Sequence, residues 1–145
     1  MKKTFDLLIK DHKKVQVLID DLLATSPNAK NQRQKLLEEL KTELQCHEKI
    51  EEDIVYPILK EKKELKDKTL EGYEEHHVID LLLAELDALD FKDEMWKAKL
   101  TVLKENLQHH IKEEEEIIFP DAIKTLSNKE LDTIETEIKQ QKIAY

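Results

Sequence analysis

Four histidines and two glutamates recur along this chain at a spacing that suits metal ligation. His47-x3-Glu51-Glu52-x4-Pro57 is answered sixty-three positions later by His110-x3-Glu114-Glu115-x4-Pro120. Upstream of each stands an acid followed by His, Asp11-His12 and Glu75-His76, offset by sixty-four. On a helix, residues i and i+4 share a face, so each His-x3-Glu pair aims an imidazole nitrogen and a carboxylate oxygen the same way. These are donors for a divalent or trivalent cation. His and carboxylate without Cys suit non-haem iron, with manganese or zinc as alternatives.

Four long helices must position these groups. Thr4 is the expected N-cap of a first helix reaching about Leu23, and Thr25-Ser26-Pro27-Asn28 reads as a loop. A second helix runs from about Asn31 toward Pro57, where it should end or kink, followed by a charged connector, Lys60 to Lys68. The third covers about Thr69 to Leu89 and the fourth about Glu94 toward Pro120, with the same expectation at that proline. Ser127-Asn128-Lys129-Glu130 matches a capping box opening a tail helix, about 128–142, with Leu131, Ile134 and Ile138 on one side. The repeat extends through Leu37/Leu100, Leu40/Leu103, Leu44/Leu107 and Tyr56/Phe119, so the chain reads as two similar helical hairpins.

The inward stripe steps 37, 40, 44, 47, 51, 54, 58 in the second helix and 96, 100, 103, 107, 110, 114, 117 in the fourth. Alternating steps of three and four trace one face of a bundle helix. The first helix contributes Phe5, Leu8, His12, Val15, Ile19 and Leu22, and the third His76, Ile79, Leu83 and Leu86. His12, His47, Glu51, His76, His110 and Glu114 therefore occupy positions where the pattern asks for apolar residues. In an antiparallel up-down bundle all six fall roughly 9–15 Å from one end. Burying two facing carboxylates costs several kcal/mol, and a bound cation removes the repulsion. Two Glu reaching in from opposite helices could bridge two metals, with the four His completing the shells.

The paired His-x3-Glu-Glu-x4-Pro segments, each preceded by acid-His, resemble the hemerythrin-like (HHE) cation-binding domain. The resemblance covers about residues 4–120, leaving the tail outside its motifs. It implies an all-α, antiparallel four-helix bundle holding two iron ions, Fe2+ or Fe3+, oxo- or hydroxo-bridged, with those six residues as ligands. Oxygen-carrying hemerythrins are similar but have a fifth His one turn after the third-helix ligand, where this chain has Asp80. By analogy with Glu51 and Glu114, Asp80 should face the site, as a seventh ligand or an acceptor for a ligand imidazole; it could also be a surface residue. The changed donor favours irreversible oxidation or other small molecules over reversible oxygen carriage.

Other polar residues read as bystanders. His77 and His109 lie about 100° around the helix from His76 and His110 and read as rim positions. Glu74-x2-His77 matches a ferritin-type spacing, but only once. Glu48, Glu52, Glu113, Glu115 and Glu116 read as a solvated acidic face, and Cys46 as a small filler pointing aside. Tyr73, Trp96, Phe5, Tyr56 and Phe119 read as core or cap packing.

Composition narrows the class. The chain has 145 residues, the size of one domain, with 39% charged and 39% apolar residues and a single Gly. Glycine this scarce cannot supply the turns of a sandwich or barrel. A net charge of −9 argues against nucleic acid as a main partner. One Cys, no apolar run of membrane length, and a start interrupted by Asp6 and Lys10 suit a cytoplasmic protein, monomeric or a small homo-oligomer. The expected function is that of a non-haem di-iron protein that binds, senses or reacts with oxygen, peroxide or nitric oxide, or senses iron. The alternatives are a non-redox metal module (iron storage or buffering, or structural zinc) and a metal-free helical interaction protein. No defined turnover reaction is assigned.

Overall fold

Leu, Lys and Glu dominate the sequence, and among the residues that the computed structural model describes, 2–145, they form helices and no strands. α1 is Asp6–Leu23. α2 begins as Lys30–Ile50, passes through a wide π turn at Glu51–Val55 and finishes as Tyr56–Leu59. α3 is Lys66–Ala88. α4 repeats the plan of α2, with Glu94–Glu113, a π turn at Glu114–Ile118 and a final stretch, Phe119–Thr125. α5, Asn128–Ala144, is the tail helix. α1 packs on α2 and α4, α3 packs on α4, and α5 lies against the π turn of α2. The result is an all-α four-helix bundle with a short additional C-terminal helix.

Each helix is expected to end or kink near its proline; α2 ends two residues past Pro57 and α4 five past Pro120, each after a π turn that interrupts the α-helix just before the proline. Pro57 and Pro120 each follow a π turn and sit at the start of the next helical stretch. Proline lacks an amide hydrogen and its ring crowds the carbonyl four residues back; a turn widened by one residue absorbs both conflicts. The extra residue shifts the inward stripe. Beyond Glu51 the deeply buried residues are Val55, Tyr56 and Leu59, and Ile58 is only half-buried. Beyond Glu114 they are Ile118, Phe119 and Ala122, and Ile117, expected inside, is half-buried.

Thr4 does not cap α1. The N-cap is Phe5, without a side-chain bond, and the buried Thr4 hydroxyl donates instead to the Leu131 carbonyl of α5 at 3.4 Å. The capping box of α5 forms as expected, with Glu130 N–H donating to Ser127 Oγ at 3.1 Å and Ser127 N–H to Glu130 Oε1 at 3.0 Å. Asp93 caps α4 by accepting from Met95 N–H at 2.8 Å.

Apolar packing splits into two clusters. One gathers Leu8, Val55, Leu59 and Phe119 with Leu131, Ile134 and Ile138 of the tail. The other gathers Val15, Leu44, Ile79, Leu107 and Trp96. His12 stands between Leu8 and Val15, so the polar layer lies between the two clusters, sealed from both ends.

Candidate metal centre

Each helix delivers its part of the layer through the local stepping of its buried face. α1 places His12 between Leu8 and Val15, and α3 places His76 between Gly72 and Ile79. α2 and α4 supply His47 with Glu51 and His110 with Glu114, each Glu being the first residue of its π turn. All six side chains are buried, Glu51 and Glu114 at 0% exposure. Their donor atoms form two groups: His12, His47, Glu51 and Glu114, and Glu51, His76, His110 and Glu114. Within each group the atoms lie within 4.8 Å of one another. Two imidazoles per group and two carboxylates common to both is the arrangement expected of a dinuclear site.

The inward atoms are incompletely satisfied by protein. His12 Nε2 lies 3.0 Å from Glu114 Oε1, and His76 Nε2 lies 2.9 Å from Glu51 Oε1. His47 Nε2 is 3.3 Å from Glu51 Oε1 and His110 Nε2 is 3.5 Å from Glu114 Oε1, neither aligned for a hydrogen bond. With Glu51 Oε2, these two nitrogens are buried without a partner. Buried polar atoms are nearly always paired, and an orphan imidazole nitrogen in each donor group, with an orphan oxygen on a glutamate common to both, fits bound cations.

Every ligand-type imidazole is held from behind by an acid. His12 Nδ1 meets Glu115 at 2.7 Å, His76 Nδ1 meets Glu52 at 2.7 Å, His110 Nδ1 meets Glu75 at 2.7 Å, and His47 Nδ1 meets Asp11 at 3.1 Å. Such acceptors fix the tautomer, keep the proton on Nδ1 and leave Nε2 free to face inward. Asp11 is itself held by Lys142 of α5.

A family model for the hemerythrin HHE cation-binding domain matches residues 3–122. The chain belongs to this family. Among solved structures, this HHE domain is similar to an HHE cation-binding domain-containing protein of Mycobacterium kansasii. The match has a TM-score of 0.78 and 21% identity over 99% of this chain and 89% of the other, a likeness of fold. Among characterised proteins it is 26% identical over 137 residues to one named DNA nickase from Nostoc sp., covering 94% of this chain and 38% of that protein. The HHE domain thus spans well under half of that relative.

Burial and charge oppose each other inside the layer. Burial disfavours a charged imidazole at His47, but Glu51 beside it, with Asp11 and Glu114, wins and holds its pKa well above the usual range. Burial likewise opposes charge on His110, and Glu114, Glu51 and Glu75 raise it well above. Burial pushes Glu51 up, but the His47 imidazole beside it holds it well below the ordinary carboxylate range. Without a cation, the layer is a buried ion-pair network.

The structure corrects the readings of five residues. Glu52 and Glu115 are not merely solvated: they grip His76 and His12 from neighbouring helices; the repeated Glu-Glu doublet marks the two positions, but the partners come from the packing. Tyr56 is more than packing. The π turn puts residue i+5 beneath residue i, so the Tyr56 hydroxyl reaches the layer, donating to Glu114 Oε2 at 2.6 Å and lying 3.3 Å from Glu51 Oε1. Burial, then Glu114 and Glu51, raise the Tyr56 pKa well above 10, so the phenol keeps its proton. Its counterpart Phe119 stacks on Phe5 at 4.4 Å and has no hydroxyl to offer.

Asp80, expected to face the site, is exposed and outside both donor groups. After His76 the buried face of α3 steps by three to Ile79, which turns residue 80 about 100° away. Asp80 instead lines the groove between α2 and α3 with Glu48. Glu48, read as surface, is buried at 6% exposure, and burial together with Asp80 pushes its carboxyl up to about 10. His77 and His109 stay outside as expected, His109 with 64% of its side chain exposed. Glu116 is exposed, and Glu113 is half-buried, pairing with Lys68. No helix among the described residues is long and apolar enough to cross a membrane.

Proposed function

We propose that this HHE domain is a non-haem di-iron protein that binds, senses or reacts with oxygen, peroxide or nitric oxide, or senses iron. The observation that carries this reading is the pair of donor groups sharing Glu51 and Glu114, with three inward atoms unpartnered. His12 and His47 would hold one iron, His76 and His110 the other, and the two glutamates would bridge them. Bound irons supply two electrons and labile positions for a small ligand.

The chain's own residues set the conditions. Glu115, Asp11, Glu52 and Glu75 orient the imidazoles and strengthen their basicity. Tyr56 orients Glu114 by donating a hydrogen bond to it beside the shared carboxylates. A cavity of about 10 Å3, lined by the four imidazoles and Glu48 with Val15, Leu44, Ile79 and Leu107, has room for about one water-sized molecule. That size and the apolar wall favour a diatomic or peroxide over an organic substrate. The nicking activity named for the Nostoc relative is not carried over, because this chain covers 38% of that protein and carries a net charge of −9. We place the domain in the cytoplasm, without a nucleic-acid or membrane partner.

Anaerobic loading with ferrous iron followed by air tests the proposal. Two irons per chain and ferric oxo-bridge absorption bands support it. A colourless protein with native zinc favours the non-redox module, and absence of any bound metal favours a helical interaction protein.

A further inference from the structure

The two halves of the bundle agree in the six residues of the layer but differ, besides Tyr56 and Phe119, at a buried position beside it. Glu48 follows His47, whereas the counterpart following His110 is Ile111. Across the seam, Asp80 of α3 has Gln16 of α1 as its counterpart. The seam between α1 and α4 is closed by packing, while its counterpart between α2 and α3 is looser along Lys30–Ile50. There the surface sinks into a groove of about 420 Å3.

Glu48 lines both this groove and the small cavity beside the four imidazoles. Its Oε2 is buried without a hydrogen-bond partner. An unpartnered buried oxygen opposes folding, and the repeat shows that isoleucine fills the equivalent place, so packing does not account for Glu48. In the groove, Lys41 pairs with Asp87 and Lys49 with Asp53, while Asp80 has no Lys or His partner among the described residues.

We propose that the α2–α3 groove is the route by which a divalent cation reaches the buried layer, with Asp80 attracting it at the mouth and Glu48 offering an oxygen at the inner end. The inference rests on the metal-binding reading above. A hydrated cation must shed water before entering an apolar interior, and an acceptor oxygen placed between groove and cavity substitutes for one of its water ligands. The opposite seam presents Ile111 and offers no such oxygen. Glu48 is therefore a residue of passage, outside the donor groups themselves.

Stopped-flow loading of the chelator-treated full chain with cobalt(II) chloride tests this, read by its ligand-field bands and by final stoichiometry from elemental analysis. Glu48→Ile should load at least ten-fold more slowly yet reach the same stoichiometry and bands. Asp80→Lys, at an exposed position that does not endanger folding, should load several-fold more slowly at low salt, with the gap closing at high salt. Gln16→Lys, on the closed seam, should load like wild type. Wild-type rates in both Glu48→Ile and Asp80→Lys would overturn the route, as would equal slowing by Gln16→Lys. Altered bands in Glu48→Ile would overturn it by making Glu48 part of the layer. Failure of the wild-type chain to bind cobalt would overturn the metal-binding reading and this inference with it.

Discussion

Gly72, the one glycine of the chain, sits in the interior of α3, where alanine would ordinarily be better by about 1 kcal/mol. Its reason is Tyr56. A Cβ added at residue 72 would lie 2.9 Å from the Tyr56 hydroxyl oxygen, 3.0 Å from Cζ and 3.2 Å from Cε2. The ring cannot simply swing aside, because Tyr73 meets it edge-on at 5.1 Å and His76 stacks on it at 5.3 Å. Relief requires a shift of roughly 0.5 Å, enough to spoil the 2.6 Å bond to Glu114. Overpacking costs about 1–3 kcal/mol, and loss of a hydrogen bond to a buried carboxylate costs about 1.5–3 kcal/mol. Set against the helix gain of about 1 kcal/mol, Gly72→Ala should destabilise the metal-free protein by about 2 kcal/mol or more. At this chain length that lowers the melting temperature by roughly 5 °C or more. Thermal melts of Gly72→Ala, Tyr56→Phe and the double variant measure it. The two changes should couple by about 1 kcal/mol, since removing the hydroxyl relieves the closest contact. A higher melting temperature for Gly72→Ala, or strictly additive losses, would refute the account.

The remaining predictions concern the layer. His47 and His110 have raised pKa values in the metal-free chain, so their stabilisation is present below about 6.5 and lost as pH rises through the raised values. Glu51 is depressed, so its share is present above about 4.5 and lost as pH falls through its folded value. Metal affinity should run the other way for the histidines, rising with pH as protons leave. Calorimetry of zinc binding in buffers of different ionisation enthalpy should register proton release, and none would count against ligation by these two. Glu51→Leu with Glu114→Leu should lower the metal-free melting temperature, because it leaves the buried His47 and His110 without the carboxylates that compensate them, and should abolish two-metal binding; retained stoichiometry by elemental analysis would contradict bridging. Glu52→Gln with Glu115→Gln should weaken metal binding about 10–100-fold in competition with a chromophoric chelator, and unchanged affinity would show that the outer acids do not hold the imidazoles.

The six residues of the layer were legible in the sequence because they obey local rules. Steps of three and four fix which side chains share a helix face, the repeat sets their height, and ionisable groups at apolar positions announce themselves. Four helices and a capped tail followed from the same periodicity. The residues around the layer were decided only by tertiary structure. Periodicity along one helix says nothing of how the next is rotated, so the acids that grip His47 and His76 from neighbouring helices, and the burial of Glu48 against α3, needed the assembled bundle. The π turns before Pro57 and Pro120 added one residue each, turning Ile58 and Ile117 partly outward and bringing the Tyr56 hydroxyl into the layer. Asp80 was lost from it because α3 steps by three after His76 where α2 steps by four after His47. One residue of register, about 100° of helix, separates a side chain in the site from one in the groove beside it.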